Sequence, residues 1–200
     1  GAPEGTPMTN ALFRSPLRAL AAGVLLVALL AALAGGVPLD HAWGAFVIRW
    51  LHVVAGVVWL GLLWYFNVVQ IPSMAALPDE LKPAVVRTIA PRALMWFRWA
   101  AAATVVSGLL LAAMLGYLGS ALLLQRPHLA IGVGMWLALL MAFNVWFVLW
   151  PLQKRVLGVV PATPDERAAA ARSSLVVSRV NLMLSLPMLY AMVAQQNGGM

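Results

Sequence analysis

Hydrophobic residues run along this chain in long uninterrupted blocks, and the charged residues fall between them. Stretches free of Asp, Glu, Lys and Arg cover 19–39, 50–78, 99–125, 127–153 and 180–200. About 20 apolar residues cross a bilayer as a helix, so each block is long enough to span. The pattern predicts five transmembrane helices at roughly 17–36, 42–70, 95–118, 128–150 and 175–195. The second starts ahead of its charge-free run, near Trp43, with Arg49 tolerated in its outer turns. No region alternates as the strands of a membrane barrel do. The expected fold is therefore all-α, an integral membrane bundle. A short N-terminal segment, 1–16, precedes a single transmembrane domain, 17–195, and a tail, 196–200, follows it.

Composition agrees with that reading. Of 200 residues 63% are hydrophobic and only 10% charged, with a mean hydropathy of +0.90. A soluble domain carries about a quarter charged residues, so this chain lacks the polar surface to live in water. The absence of Cys excludes structural disulfides, thiolate metal sites, iron–sulfur clusters and covalently attached haem. The net charge of +7 comes from cations spread between the spans rather than from one solvated basic face, so no nucleic-acid partner is expected.

The distribution of those cations predicts orientation. One side of the bundle takes Arg14, Arg18, Lys82, Arg87, Arg92, Arg98, Lys154, Arg155, Arg167, Arg172 and Arg179, and the other only Arg49 and Arg126. By the positive-inside rule the first side and the N-terminus are cytoplasmic, in a bacterial inner membrane. The first span also resembles a signal peptide, with Arg14 and Arg18 before it and Ala32-Leu33-Ala34 as a small-residue site. We read it as a retained helix, with Met8 as a candidate native start. Pro78-Asp79-Glu80 and Thr163-Pro164-Asp165-Glu166 are helix-start signals, each expected to open a short helix on the inner surface.

Candidate chemistry begins with histidine. His41, His52 and His128 all fall in the outer half, and His52 lies nearly three turns into the second span. An ionisable side chain at that depth is a functional hypothesis by default, and His is a usual ligand of non-covalent haem. Its helical face reads His41, Ala45, Arg49, His52, Gly56, Trp59, Leu63, Asn67 and Gln70. Gly56 would leave room for a macrocycle and Arg49 would pair with a propionate. The competing structural role is a His bonded across the bundle, with Gly56 serving close packing.

The second and fourth spans look like a weak internal repeat. Asn67-Val68 precedes Pro72, Asn144-Val145 precedes Pro151, and His52 and His128 lie 15 and 16 residues before the two Asn. That spacing makes His128 the expected second haem ligand, with His41 as its competitor. A second polar set, Asn67, Gln70, Arg98, Thr104, Asn144, Asn181 and Ser185, is expected in the inner half, as helix-joining contacts or as a small-molecule pocket, with a kink at Pro187 beside it. Met114, Met135, Met141, Met183, Met188 and Met192 lack a tight M-x-x-M cluster, so core packing is expected of them rather than copper. Trp43, Trp96, Trp99, Trp146 and Trp150 lie toward helix ends as interfacial anchors.

Several motifs carry a family resemblance. Trp50-Leu51-His52-Val53 with Gly56, Trp59, Gly61-Leu62, Tyr65-Phe66-Asn67 and Gln70-Ile71-Pro72 resembles the signature helix of the urate oxidase N-terminal-domain family, the membrane-type urate hydroxylases. Trp96-Phe97-Arg98-Trp99 with Thr104 and Gly108, then Met141 to Trp146, Trp150-Pro151, Gln153-Lys154, and Ser178-Arg179 with Asn181, Ser185 and Pro187-Met188 continue it over most of 42–193. The resemblance implies a multi-helix membrane domain. In longer members it carries a cytochrome c domain, and it is proposed to oxidise urate and pass electrons to the respiratory chain. This chain has no C-x-x-C-H, so a separate cytochrome or a larger respiratory or photosynthetic complex would have to accept the electrons. The pattern at 52–61 is also similar to membrane protoporphyrinogen oxidases, proposed to use haem b, and to copper-resistance membrane proteins.

The leading expectation is an electron-transferring haem b protein that holds the haem by His52 and His128, with Arg49, Gly56 and Trp59 around it. One alternative is an oxidase acting on urate or a porphyrinogen at Asn67, Gln70, Arg98, Asn144 and Asn181. The other is a cofactor-free accessory subunit of a larger membrane complex.

Overall fold

The computed structural model describes residues 13–199, and every regular element among them is helical. The expected N-terminal segment 1–16 lies mostly outside the described residues. The chain divides into two compact units, one ending at Gly44 and the other running from Ala45. Five helices are long and apolar enough to cross a membrane: α1 (Pro16–Leu33), α2 (His41–Ala76), α4 (Ala90–Met114), α6 (Leu129–Val156) and α7 (Pro164–Asn197). Two short helices join them, α3 (Lys82–Thr88) and α5 (Leu118–Leu122).

In the first unit, α1 has a mean hydropathy of 2.2 in its best window and carries Pro16 in its first turn, where the missing N–H costs nothing. Gly35 and Gly36, at φ +109° and +90°, follow its end. Asp40 Oδ1 then accepts from the Trp43 amide at 2.8 Å and caps the start of α2.

The second unit holds the core. Trp59, Leu63 and Phe66 from α2 meet Leu94, Phe97 and Ala101 from α4 and Ala138, Met141, Val145 and Leu149 from α6, with Met188 of α7 beside them. Phe66 meets Phe97 edge to face at 5.7 Å. Lipid offers no hydrophobic drive for helix pairing, so close packing and interhelical hydrogen bonds must hold such a bundle. Both are present. A Cβ at Gly132 would run into the Ala121 carbonyl, and one at Gly134 would sit 3.3 Å from Met192. Asn144 donates to Asn181 Oδ1 at 2.8 Å, and Asn181 donates to the Met141 carbonyl at 3.1 Å, tying α6 to α7. Asn67 donates to Ser178 Oγ at 2.8 Å, tying α2 to α7.

Two helices run further than the apolar pattern predicts, and for the same reason. The expected ends near 70 and 150 precede Pro72 and Pro151, because an interior Pro removes a donor and collides with the carbonyl four residues back. Here each Pro follows a π-helical turn, Tyr65–Gln70 in α2 and Asn144–Leu149 in α6. The amides of Ile71 and Trp150 bond the carbonyls of Phe66 and Val145, five residues back. The wider register carries the helix through the proline. The two π turns coincide with the Asn-Val pairs of the sequence repeat.

A third correction concerns Thr163. Its side chain and Glu166 form a complete capping box, as the motif predicts, but no separate surface helix results. The box starts α7 itself, a single helix of 34 residues and roughly 51 Å at 1.5 Å per residue. The other signal does lead to a short helix, α3, beginning at Lys82.

Candidate functional site

The antiparallel packing of α2 against α4 sets the chemistry of His52. His52 Nδ1 lies 2.9 Å from the Thr104 carbonyl and 3.3 Å from Ser107 Oγ. A carbonyl only accepts, so Nδ1 carries the proton and Nε2 keeps its lone pair. No described residue bonds Nε2. Thr104 Oγ1 and Ser107 Oγ back-bond to the carbonyls of Ala100 and Ala103 on their own helix, and the Thr104 carbonyl, 3.2 Å from Ser107 Oγ as well, is the acceptor that orients the imidazole.

His52 lines a partly open cavity of about 620 Å³ between α2, α4, α6 and α7, within the range of cofactor and small-molecule sites. Trp59, Leu111, Met135, Ala138 and Met188 are buried in its walls. Arg49, Gln196 and Asn197, all exposed, form a polar rim. Tyr117, in the segment between α4 and α5, also lines it. Burial raises the Tyr117 phenol above its ordinary pKa, and the nearby Arg49 charge opposes that rise.

The expected site residues therefore divide. His52, Arg49, Gly56 and Trp59 line the cavity together. His128 does not. It stands just before Leu129 at the start of α6, bonded through Nδ1 to Ser120 Oγ at 2.8 Å, and stacks on Tyr117 at 5.1 Å between ring centroids. The repeat matches the two π turns but not the two histidines, because His52 sits inside its helix and His128 ahead of its own. His41 opens α2, eleven residues and about three turns from His52.

Gly56 leaves ordinary space, since a Cβ there would lie 3.8 Å from Thr104 Cγ2. The glycine that makes room is Gly108 on α4, where a Cβ would fall 2.8 Å from His52 Cε1 and 3.1 Å from Nδ1. Thr104, expected in the inner set, instead serves His52. The sequence signal for both was their place in one motif, four residues apart, which puts them on one face of α4.

In the inner half, Asn144 donates to Asn181, Asn181 to the Met141 carbonyl and Asn67 to Ser178, so three of the five expected pocket residues tie helices together. Ser185 accepts from Trp64 Nε1 at 3.2 Å in the same manner. Gln70 and Arg98 make no side-chain hydrogen bond to a described residue; Gln70 Oε1, Arg98 Nε and Asn67 Oδ1 are buried without partners. Three of the six methionines weighed for copper, Met135, Met188 and Met192, line the His52 cavity, a convergence that their sequence spacing concealed. No group of three His, Cys, Asp or Glu side chains able to hold a bare ion occurs among the described residues.

The described residues form a helical chain with five segments able to span a bilayer and a cavity lined by His52 within the second unit. No family model, curated protein or solved structure matches it.

Proposed function

We propose that the chain is a membrane-bound b-type haem protein that uses His52 Nε2 as an axial ligand. The observation that carries this reading is the tethered imidazole: Nδ1 is committed to a backbone carbonyl, no described residue bonds Nε2, and His52 lines a largely apolar cavity. Metal-ligating histidines characteristically donate their other N–H to a carbonyl or carboxylate, which fixes tautomer and ring orientation. An iron held in a porphyrin needs only axial ligands from the protein, and the described residues offer no multi-carboxylate cage. Haem would supply one-electron transfer. Arg49 at the rim has the charge to hold a propionate, and the apolar walls would exclude water from the ring. Met135, Met188 or Met192, which line the same cavity, would offer a thioether as a second ligand in place of His128, which bonds Ser120 and does not line it.

In this reading the Lys- and Arg-rich end faces the cytoplasm of a bacterial inner membrane, and the His52 cavity faces a periplasmic cytochrome or larger complex as electron acceptor. The likeness to the urate oxidase N-terminal domain makes urate a candidate electron source. A second reading draws on the three thioethers beside one imidazole, a donor set that suits Cu(I).

One experiment separates the readings: the reduced-minus-oxidised spectrum and metal content of detergent-purified protein, before and after addition of haemin. A b-type spectrum at one haem per chain is expected. Folded, colourless protein that takes up no haemin overturns the proposal, and stoichiometric copper in that protein would establish the second reading.

A further inference from the structure

We infer that α4 and α6 form a binding site for one anionic phospholipid at the basic end of the bundle. A groove of about 650 Å³ runs between the two helices, walled by Ala102, Val105 and Val106 on one side and Trp136, Leu140 and Phe143 on the other. Its α6 wall extends from Trp136 to Phe147, a rise of roughly 16 Å and about the depth of one bilayer leaflet. Trp146 lies toward its basic end and is anchored there by an Nε1 hydrogen bond of 3.1 Å to the Arg98 carbonyl.

About one helical turn beyond the groove on α4, at Arg98, and two on α6, at Lys154, the chemistry changes from apolar to cationic. The Arg98 guanidinium sits 3.4 Å from the centroid of the Trp150 ring, and Lys154 Nζ lies 5.7 Å from the same centroid. Neither cation has a carboxylate within ion-pair distance among the described residues. Arg98 Nε is buried with no acceptor. Two like charges around one indole repel each other, and an acceptor of negative charge between them would relieve that repulsion and satisfy the unpaired guanidinium donor.

A soluble anion has use for the cations but not for the groove, and a partner helix has use for the groove but leaves the cations unpaired. An amphiphile whose phosphate meets Arg98 and Lys154 and whose acyl chain lies along Trp146 toward Trp136 uses both. Basic pockets between transmembrane helices recognise lipid headgroups in this way. The groove shares Val105 and Leu139 with the wall of the His52 cavity, but Trp146, Arg98 and Lys154 are not among the residues that line that cavity, and the site does not depend on how the cavity is used.

The test is native mass spectrometry of detergent-solubilised full chain titrated with phosphatidylglycerol or phosphatidylcholine. Phosphatidylglycerol should be retained at about one per chain and at least about tenfold more tightly than phosphatidylcholine. Arg98→Gln and Lys154→Gln should each weaken it by roughly fivefold, as expected for one basic contact. Ala102→Trp, which fills the groove without changing charge, should weaken it as well. Should Arg98→Gln fail to fold, Lys154→Gln and Ala102→Trp decide the matter. Equal retention of the two lipids, phosphatidylglycerol binding unchanged in the folded variants, or its displacement by millimolar inorganic phosphate would each overturn the inference.

Discussion

Two glycines face the interior between α2 and α4, and they should respond oppositely to the same added methyl group. At Gly56 the new Cβ would make one ordinary contact, 3.8 Å from Thr104 Cγ2. Gly-to-Ala in a helix interior favours the helix by roughly 0.5–1 kcal/mol, so Gly56→Ala should be neutral or mildly stabilising. At Gly108 the Cβ would fall 2.8 Å from His52 Cε1, too close for any carbon pair. The ring is planar and held at Nδ1, so it must swing away and give up its 2.9 Å bond to the Thr104 carbonyl. Overpacking costs about 1–3 kcal/mol and the lost hydrogen bond about 1 kcal/mol, against the same helix gain. Gly108→Ala should therefore be destabilising by about 1–3 kcal/mol, and the two variants should differ by roughly 2–4 kcal/mol. Thermal or denaturant unfolding in a single detergent reads the difference directly. Equal stability of the two variants, or greater damage from Gly56→Ala, would refute the steric role assigned to Gly108 and with it the tethered orientation of His52.

Other consequences follow from named contacts. Asn181→Leu removes the bonds to Asn144 and to the Met141 carbonyl and should lower stability by about 1–2 kcal/mol, measurable by steric trapping in bicelles. Thr163→Ala breaks the capping box of α7 and should cost about 1 kcal/mol, seen as faster hydrogen exchange confined to the first turn after Pro164. Lys82, bonded to Asp79 at 2.6 Å, holds that carboxyl below its ordinary pKa. Its contribution is thus present above the unfolded pKa and lost as pH falls through the lowered one. Lys82→Met should move the Asp79 titration upward in an NMR pH series, and an unmoved midpoint would deny the pair.

The apolar blocks made the five long helices legible because a helix in lipid must satisfy its backbone internally and needs a fixed length to span. The same pattern could not reveal that α2 and α6 pass through Pro72 and Pro151. That depends on the π register, which is a property of the backbone ladder and not of side-chain polarity. Nor could it show that the Thr163 box opens a helix long enough to span a membrane, since a capping box looks the same whether two turns or nine follow it. At the candidate site, the face of α2 bearing His52, Gly56 and Trp59 was readable from spacing along one helix. The partners of that face were not. Whether Thr104, Gly108 and Met192 meet it, and whether His128 does, depends on how α4, α6 and α7 are rotated about their axes. Two residues one position out of helical phase look alike in sequence, yet Gly108 meets the His52 ring while His128 packs outside on Tyr117. The Asn residues of the inner half looked equally fit for a pocket or for joining helices, and the bonds of Asn67, Asn144 and Asn181 to residues of α6 and α7 favour joining.

The central claim concerns one nitrogen atom, and it can be tested by removing the ring and returning it. His52→Gly deletes the imidazole while leaving the cavity walls in place, and free imidazole added to the purified variant can enter the space. The variant should lose its b-type reduced-minus-oxidised spectrum, and imidazole with haemin should restore it at one haem per chain. A b-type spectrum that survives in His52→Gly without imidazole would contradict the claim.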